Sequence, residues 1–274
     1  MSILSNTVRS QYKKIDKPLF VTVFLWIASQ EGPLSDPRVR RAINLAIDRS
    51  YLVHDLRKGR FSEAQGFLPQ GMLAHNPDLL GYAYDVDKAQ QLLAEAGYPG
   101  GHGMPRLELW SPAKKSATAV NEHEAIKDNL AAIGISLDLR TMDTWKQYKR
   151  EILDGKRPGI LFRTGWYHNF PDPDDILYPL FYSKSAYNRG QYHNSEVDRL
   201  LEMARSEVDS SKRLVLYRKA EKLIMEDAPT VNLVHYKFEY LTHPYVHGFQ
   251  PNSLGEHFIP MKTVWLDVTQ HAQK

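Results

Sequence analysis

The stretch from residue 19 to residue 49, LFVTVFLWIASQEGPLSDPRVRRAINLAIDR, contains the signals on which the fold prediction depends. Its first part, Leu19 to Ile27, is rich in Val, Phe and Leu, which is typical of a buried β-strand. A turn is predicted at Glu31-Gly32-Pro33. Asp36 followed by Pro37 then indicates a helix start, because Asp can accept hydrogen bonds from free amides and Pro lacks an amide hydrogen.

The helix after Pro37 carries apolar residues at helical spacing, with Val39, Ile43 and Ile47 on one face. Outward from this unit, helices and strands alternate, and Gly97 and Pro99 end one helix in the usual order. Further helices are predicted to begin near Asp85, Ser116, Thr144, Asp174, Asn194 and Ser210 or Ser211, and further strands at residues 106–110, 135–140, 159–164 and 231–236. Residues 61–84 are predicted to form a loop and the tail after Tyr236 to be irregular. The pattern predicts an α/β or α+β fold.

Composition excludes several classes of protein. The 35 basic and 32 acidic residues give a net charge of +3 and are mixed along the chain, so no basic cluster indicates nucleic-acid binding. The 274 residues contain no cysteine, which excludes disulfides, thiolate nucleophiles and cysteine-based metal sites. No apolar run reaches the ~18 residues that span a bilayer. Residues 1–10 lack the apolar middle of an export signal.

Several segments, taken in order, resemble the family 5 extracellular solute-binding proteins, the dipeptide, oligopeptide and nickel type that serve ABC importers. The similarity covers about residues 33–250 and is identified from six motifs in the order found in that family. These are LSDPRVRRAINLAIDR at 34–49, LPQGM at 68–72, YDVDKA at 84–89 with LLAEAGYP at 92–99, GW at 165–166 with PDP at 171–173, EVDRLL at 196–201 and APTVNL at 228–233.

The resemblance implies a two-lobed clamp around a ligand. It implies that residues 33–237 form a C-terminal lobe of the type II periplasmic-binding-protein kind, with a mixed sheet flanked by helices. Residues 1–32 would be an N-terminal extension with a crossing strand, and residues 238–274 a return segment toward an N-terminal lobe. Because the similarity begins near the middle of a family member, that lobe and the export signal are expected to be absent from this chain.

The resemblance also implies a ligand site around the segment FRTGWYHN at 162–169, where a glycine lets the backbone approach a ligand and an indole covers it. In peptide-binding members, an Asp four residues after the Gly pairs with the ligand's ammonium group. This position is Asn169, which lacks the charge, and Asp172 is a possible substitute. The predicted ligand-binding residues are Arg163, Gly165, Trp166, Tyr167, Asn169, Asp172, Tyr187 and Asn188.

Two interpretations remain open at several of these positions. Arg163 stands where some relatives place an arginine that meets a ligand carboxylate, a task suited to the forked guanidinium; alternatively it pairs with a nearby acid. Trp166 can face the cleft or pack in the core. Tyr187 and Asn188 lie either beside the cleft or in a solvated loop.

No catalytic or metal site is predicted. His123-Glu124 begins like a zinc-protease motif, but Lys127 stands where the second histidine would be. His235, His243, His247 and His257 lack metal-ligand spacing, although nickel-binding relatives keep a metal interpretation open. Nucleophile elbows, Walker loops and dinucleotide fingerprints are absent from the sequence. The chain is therefore expected to be no enzyme and to need no cofactor.

The leading hypothesis is a substrate-binding component of an ABC importer for peptides or a similar small solute, located in the periplasm or at the cell surface. Its partners would be the ligand, the importer's permease subunits and an N-terminal lobe. Because the cleft is shared between lobes, this chain alone is expected to bind peptides very weakly or undetectably. The alternative hypothesis is a stand-alone interaction module, self-associating through its uncovered face, that has lost the transport function.

Overall fold

A computed structural model describes residues 10–112, 117–155, 157–267 and 269. The predictions for residues 1–9 and for a helix start at Ser116 lie outside these residues. The strands are β1 Lys13–Ile27, β2 Phe61–Glu63, β3 Leu107–Pro112, β4 Leu137–Met142, β5 Leu161–Tyr167, β6 Thr230–Thr242, β7 Val246–His247 and β8 Trp265–Leu266. The α-helices are α1 Pro37–Ala46, α2 Val86–Glu95, α3 Ala117–Ala131, α4 Trp145–Tyr148, α5 Asp174–Phe181, α6 Ser195–Ser206 and α7 Ser210–Asp227.

A six-stranded mixed sheet organises the described residues, with strand order β2-β6-β1-β5-β3-β4. β3 is parallel to β4 and to β5, whereas β1 is antiparallel to both β5 and β6. β1 therefore lies near the centre of the sheet, which explains why its C-terminal half is apolar on both faces. The domain boundary at residue 32 stays a prediction, but residues 21–27 belong to this sheet.

Two apolar cores cover the two faces of the sheet, as the alternation of side chains along β1 requires. Phe24 and Trp26 pack in a core that contains residues of helices α5, α6 and α7. Val23, Leu25 and Ile27 pack in the other core, which contains residues of helices α1, α2 and α3. The helix starts predicted at Asp36, Asp85 and Asn194 are confirmed, since each side chain accepts from a backbone amide in the first turn.

Helix α1 carries buried polar side chains that the apolar pattern did not predict. Arg40 donates to the carbonyl oxygen of Asp227 at 2.6 Å, and Asn44 donates to that of Thr230 at 2.9 Å. Arg49, beyond the helix end, donates to the carbonyl of Asn232 and to the Asn44 side chain. Burial lowers the pKa of Arg49 to about 10. These residues of the 34–49 motif attach α1 to the start of β6, so the motif is explained by the fold.

Several secondary-structure predictions were wrong in detail. β1 begins at Lys13 and β6 continues to Thr242, because their outer halves pair with each other in a two-stranded ribbon beyond the buried core. The predicted 144–153 helix is four residues of α-helix followed by a wider π-turn at Lys149–Leu153. The 61–84 loop contains β2, and the tail contains the β7–β8 pair.

Candidate functional site

The predicted ligand segment begins on strand β5 and runs past its end. Leu161 and Phe162 are buried in the sheet, whereas Arg163 to Trp166 are partly exposed and Tyr167 is 64% exposed. The chain then passes through residues 168–173 to α5. The predicted strand that runs into Gly165-Trp166 is confirmed, and its C-terminal residues are partly or mostly exposed.

Packing within the described structure does not require a glycine at position 165. A Cβ added there would lie 3.4 Å from the Thr22 carbonyl oxygen and 3.5 Å from the nearest Val23 methyl, which is close to ordinary contact. Its φ angle is also not positive. A side chain as small as a methyl group would therefore fit at position 165 with ordinary contacts, and glycine there leaves the backbone uncovered by a side chain of its own.

Aromatic side chains are exposed around the end of β5, with Trp166 and Tyr187 on one face of the sheet and Tyr167 on the other. Trp166 packs against the core through part of its ring, and Tyr187 meets it edge to face with ring centroids 5.7 Å apart. Tyr167, Phe170 and Tyr187 are 64%, 48% and 52% exposed. An exposed aromatic ring offers a large apolar surface to a ligand, and a tyrosine also offers its hydroxyl group. Tyr187 thus lies beside Trp166, and Trp166 both packs against the core and remains partly exposed.

A buried carboxylate holds the end of the segment. Asp175, 5% exposed in the first turn of α5, accepts from Trp166 Nε1 at 3.2 Å and from the backbone amide of Asn169 at 3.0 Å. Asn169 Nδ2 donates to the other carboxylate oxygen at 3.2 Å. His168 Nδ1 lies 3.2 Å away, outside hydrogen-bonding geometry. Burial acts to raise the pKa of Asp175, but the contacts with His168, Asn169 and Trp166 outweigh it and lower the pKa.

This arrangement orients the amide of Asn169. Because its Nδ2 group faces Asp175, its Oδ1 atom is left as a hydrogen-bond acceptor on an exposed residue. The resemblance implies a negative charge at position 169. In the structure this charge belongs to Asp175, which hydrogen-bonds Asn169 from the side of the core. Asp172, the substitute considered from the sequence, instead forms a bidentate ion pair with Arg213 at 2.7 and 2.8 Å.

Three charged side chains, Glu122, Arg57 and Arg163, form a triad near the start of β5. Glu122 of α3, 3% exposed, contacts Arg163 Nε at 3.2 Å and accepts from Arg57 Nε at 2.8 Å. Burial acts to raise the pKa of Glu122, but the two arginines outweigh it and lower the pKa. With Glu122 ionised, one carboxylate faces two guanidinium groups, so the triad carries a net positive charge. Arg163 is thus paired with an acid and still belongs to a group with excess positive charge.

Asn188 lies inside its own loop. It is 3% exposed, its Nδ2 group donates to the carbonyl of Tyr192 at 2.7 Å, and its Oδ1 atom accepts from the Tyr192 amide at 2.9 Å. Its role in the structure is to shape the loop that holds Tyr187.

Sequence reasoning missed three residues that contact the 162–169 segment or its partners: Asp175, Glu122 and Arg57. Asp175 followed a pattern common at helix starts, where acids complement the helix dipole. Glu122 had a sequence signal, an acid on the apolar side of a helix, but its two partners are 41 and 65 residues away in sequence. No local pattern could have indicated those contacts.

The part of the chain that the structure describes contains neither a candidate metal cluster nor a candidate membrane-spanning helix. Within it, no group of three or more histidine, aspartate or glutamate side chains could hold a metal ion. None of its helices is long and apolar enough to cross a bilayer.

Comparison with known proteins adds a family match. The family model described as "Bacterial extracellular solute-binding proteins, family 5 Middle" matches residues 3–188. A probable di/tripeptide-binding protein 5 of Pseudomonas aeruginosa is 32% identical over 244 residues, which are 87% of this chain and 45% of that protein. The glutathione-binding protein GsiB of Escherichia coli K12 is 33% identical over 210 residues, 74% of this chain and 40% of that protein. The chain thus spans less than half the length of these relatives.

Solved structures show the same fold. HbpA2 from Haemophilus parasuis superposes with a TM-score of 0.82 at 24% identity, covering 94% of this chain and 50% of that one. The periplasmic binding protein DppA from Helicobacter pylori, in complex with the peptide STSA, superposes with a TM-score of 0.75 at 25% identity, covering 92% and 49%. The prediction of a mixed sheet flanked by helices, in a lobe of the periplasmic-binding-protein kind, is confirmed.

Proposed function

Because the chain belongs to family 5 of the bacterial extracellular solute-binding proteins, we propose that it forms one wall of a peptide-binding cleft in the substrate-binding component of an ABC importer. The ligand is a short peptide or a similar small solute with a free ammonium group. It is held without catalysis, and closure of the clamp on it presents the component to the permease subunits. Periplasmic or cell-surface location is part of this proposal.

The observation that carries the proposal is the buried carboxylate of Asp175, which lies behind Asn169 and beside the partly exposed Trp166. Asp175 supplies a negative charge behind Asn169, and the triad at Arg163, six residues before Asn169 and on the other face of the sheet, supplies a positive charge. A peptide with free termini carries the complementary charges. The names of the relatives, a di/tripeptide-binding protein and a glutathione-binding protein, support a ligand of this class.

In this proposal the ligand's ammonium group donates to Asn169 Oδ1. The ammonium would then lie on the order of 7 Å from the carboxylate of Asp175, where two unit charges attract by about 2 kcal/mol at an effective dielectric constant of 20. Arg163 meets the ligand's carboxylate while Glu122 and Arg57 hold the guanidinium in place. Trp166 and Tyr187, which meet edge to face, cover the apolar part next to the ammonium group.

The second wall of the cleft is proposed to come from an opposing lobe. The tail exposes apolar side chains that would suit such a contact: Phe258, Met261, Trp265 and Leu266 are each more than half exposed. Contiguous exposed apolar surface commonly marks a contact with another protein surface. Self-association through this tail is the alternative, and sizing by light scattering at increasing concentration separates a monomer from a dimer.

The test is a titration of the ¹⁵N-labelled chain with alanyl-alanine, observed by nuclear magnetic resonance. We expect weak binding, with a Kd well above the micromolar range, and shifts of the Trp166 indole NH and the Asn169 side-chain amide. N-acetyl-alanyl-alanine, which lacks the ammonium group, should leave these signals in place. Equal shifts with both ligands, or shifts with neither, would contradict the proposed site. A micromolar Kd would contradict the expectation that the cleft needs a second wall.

A further inference from the structure

The described structure contains a cavity that is lined by none of the candidate ligand residues. It is enclosed by β2, the loop that follows it, α7 and β6, and has a volume of about 190 Å³. One water molecule takes up about 30 Å³ in the liquid, so the cavity has room for a small solute. Its lining combines the polar residues Ser62, Glu63, Gln65, His75, Glu221 and His235 with apolar surface that includes Leu68 and Leu79. Arg163, Trp166 and Asn169 do not line it.

The two histidines of the cavity have a defined tautomer when neutral. His75 Nδ1 lies 2.8 Å from the Leu68 carbonyl oxygen, which can only accept, so the proton is on Nδ1. Thr22 donates its hydroxyl hydrogen to the Phe67 carbonyl, so His235 Nδ1, 3.1 Å from that hydroxyl oxygen, must be the donor. Burial lowers the pKa of His235 to about 3, and this ring is neutral. In both rings the Nε2 atom is left with its lone pair as an acceptor.

A buried carboxyl group completes the lining. Glu221 is 1% exposed, and its Oε1 atom accepts from the backbone amides of Phe67 and Leu68 at 2.7 and 3.0 Å. These bonds fix the carboxyl group against the loop. Burial nevertheless raises its pKa to about 7, because two amides do not replace the hydration of an ion. A cation in the cavity would favour the ionised form.

The remaining charges around the cavity are Glu63, which adds a second carboxyl group, and Arg218 of α7. Arg218 donates to the carbonyl of Ala74, a residue held at a positive φ of 63°, and so fixes the loop at His75. Among the described residues, no three ligand side chains are close enough for a metal ion. The cavity therefore offers hydrogen-bond acceptors and negative charge without metal geometry.

We propose that this cavity is a second binding site, separate from the peptide surface, that takes a small organic cation with N–H groups, of the primary ammonium class. The N–H groups of the ammonium donate to His75 Nε2, His235 Nε2 and the Glu221 carboxylate. This site does not depend on the proposed peptide function, because it uses none of the same side chains.

The probe is ethylammonium chloride, with tetramethylammonium chloride as a matched cation that has no N–H group. The Nε2 resonances of His75 and His235 are followed by long-range ¹H–¹⁵N correlation at pH 7.5. We expect saturable shifts of both resonances with ethylammonium, at a Kd in the millimolar range that suits a ligand of three non-hydrogen atoms. Tetramethylammonium should produce no saturable shift.

Glu221→Gln should weaken ethylammonium binding at least tenfold while it keeps the hydrogen bonds to the loop amides. Glu226→Gln, on the same helix with a side chain that is 52% exposed, is the matched control and should bind as the unaltered chain does. His75→Ala, at a partly exposed position, provides a second variant that is expected to fold. The proposal is overturned by equal shifts with the two cations, by full affinity in Glu221→Gln, or by a response to zinc chloride but not to ethylammonium.

Discussion

Replacing Glu122 by glutamine tests whether the charged triad is a true part of the fold and the site. The variant Glu122→Gln keeps the size of the side chain and one oxygen acceptor but removes the charge between Arg57 and Arg163. Two arginines would then face each other without an acid, with side chains that are only 14% and 23% exposed.

The expected loss follows from that burial. Breaking a fully buried ion pair by removing one partner costs about 3–5 kcal/mol. Because both guanidinium groups keep some contact with water, we expect a smaller loss, about 2–3 kcal/mol in the free energy of unfolding at pH 7.

The loss should also depend on pH. The pKa of Glu122 in the folded chain lies below its ordinary value of 4.5. Its charge therefore stabilises the fold above that ordinary value, and this contribution is lost as the pH falls through the lower, folded-state pKa. The difference between the unaltered chain and Glu122→Gln should narrow as the pH is lowered from 5 toward 3.

The assay is urea unfolding of both chains, followed by tryptophan fluorescence across this pH range. Glu124→Gln, two residues away on α3 with a side chain that is 53% exposed, is the control and should change stability by less than about 0.5 kcal/mol. A loss in Glu122→Gln no larger than in this control, or a loss that does not narrow toward pH 3, would refute the reasoning.

Three further predictions concern packing and buried charge, each measured by urea unfolding. Gly190→Ala should cost about 2 kcal/mol or more because the new Cβ would clash with the buried Trp26 ring, whereas Gly165→Ala should cost less than about 1 kcal/mol; equal losses would contradict this. In the unaltered chain, stability should fall by about 3 kcal/mol between pH 4 and pH 8, because the pKa of the Glu221 carboxyl group is raised from 4.5 to about 7 in the folded chain. Glu221→Gln should abolish this pH dependence, and an unchanged pH profile would contradict the prediction. Arg49→Met should cost about 3 kcal/mol by leaving buried carbonyl groups unpaired, and a neutral effect would contradict that role.

The fold was predictable from the sequence where local signals are strong. The apolar run at Leu19 to Ile27 and the capping residues Asp36, Asp85 and Asn194 each appear where expected, because burial and capping leave a mark within a few residues. The outer half of β1 was missed, since strands that pair in solvent need no apolar alternation.

The candidate site was predictable in position but not in its contacts. The segment 162–169 was indicated by Gly-Trp at a strand end and by a family resemblance. That Asp175 lies behind Asn169, and that Glu122 joins Arg57 to Arg163, depend on the packing of α5 and α3 against the sheet. Side-chain partners set by tertiary packing leave no periodic pattern in the sequence.

The central claim is that Asp175, acting through Asn169, provides the negative charge for a ligand's ammonium group. The most direct measurement compares the affinity of alanyl-alanine for the unaltered chain, for Asp175→Asn and for the neighbouring control Asp174→Asn, by the shift of the Trp166 indole NH. The account predicts at least tenfold weaker binding to Asp175→Asn and little change for Asp174→Asn. Equal affinity for all three chains, with the fold intact, would contradict it.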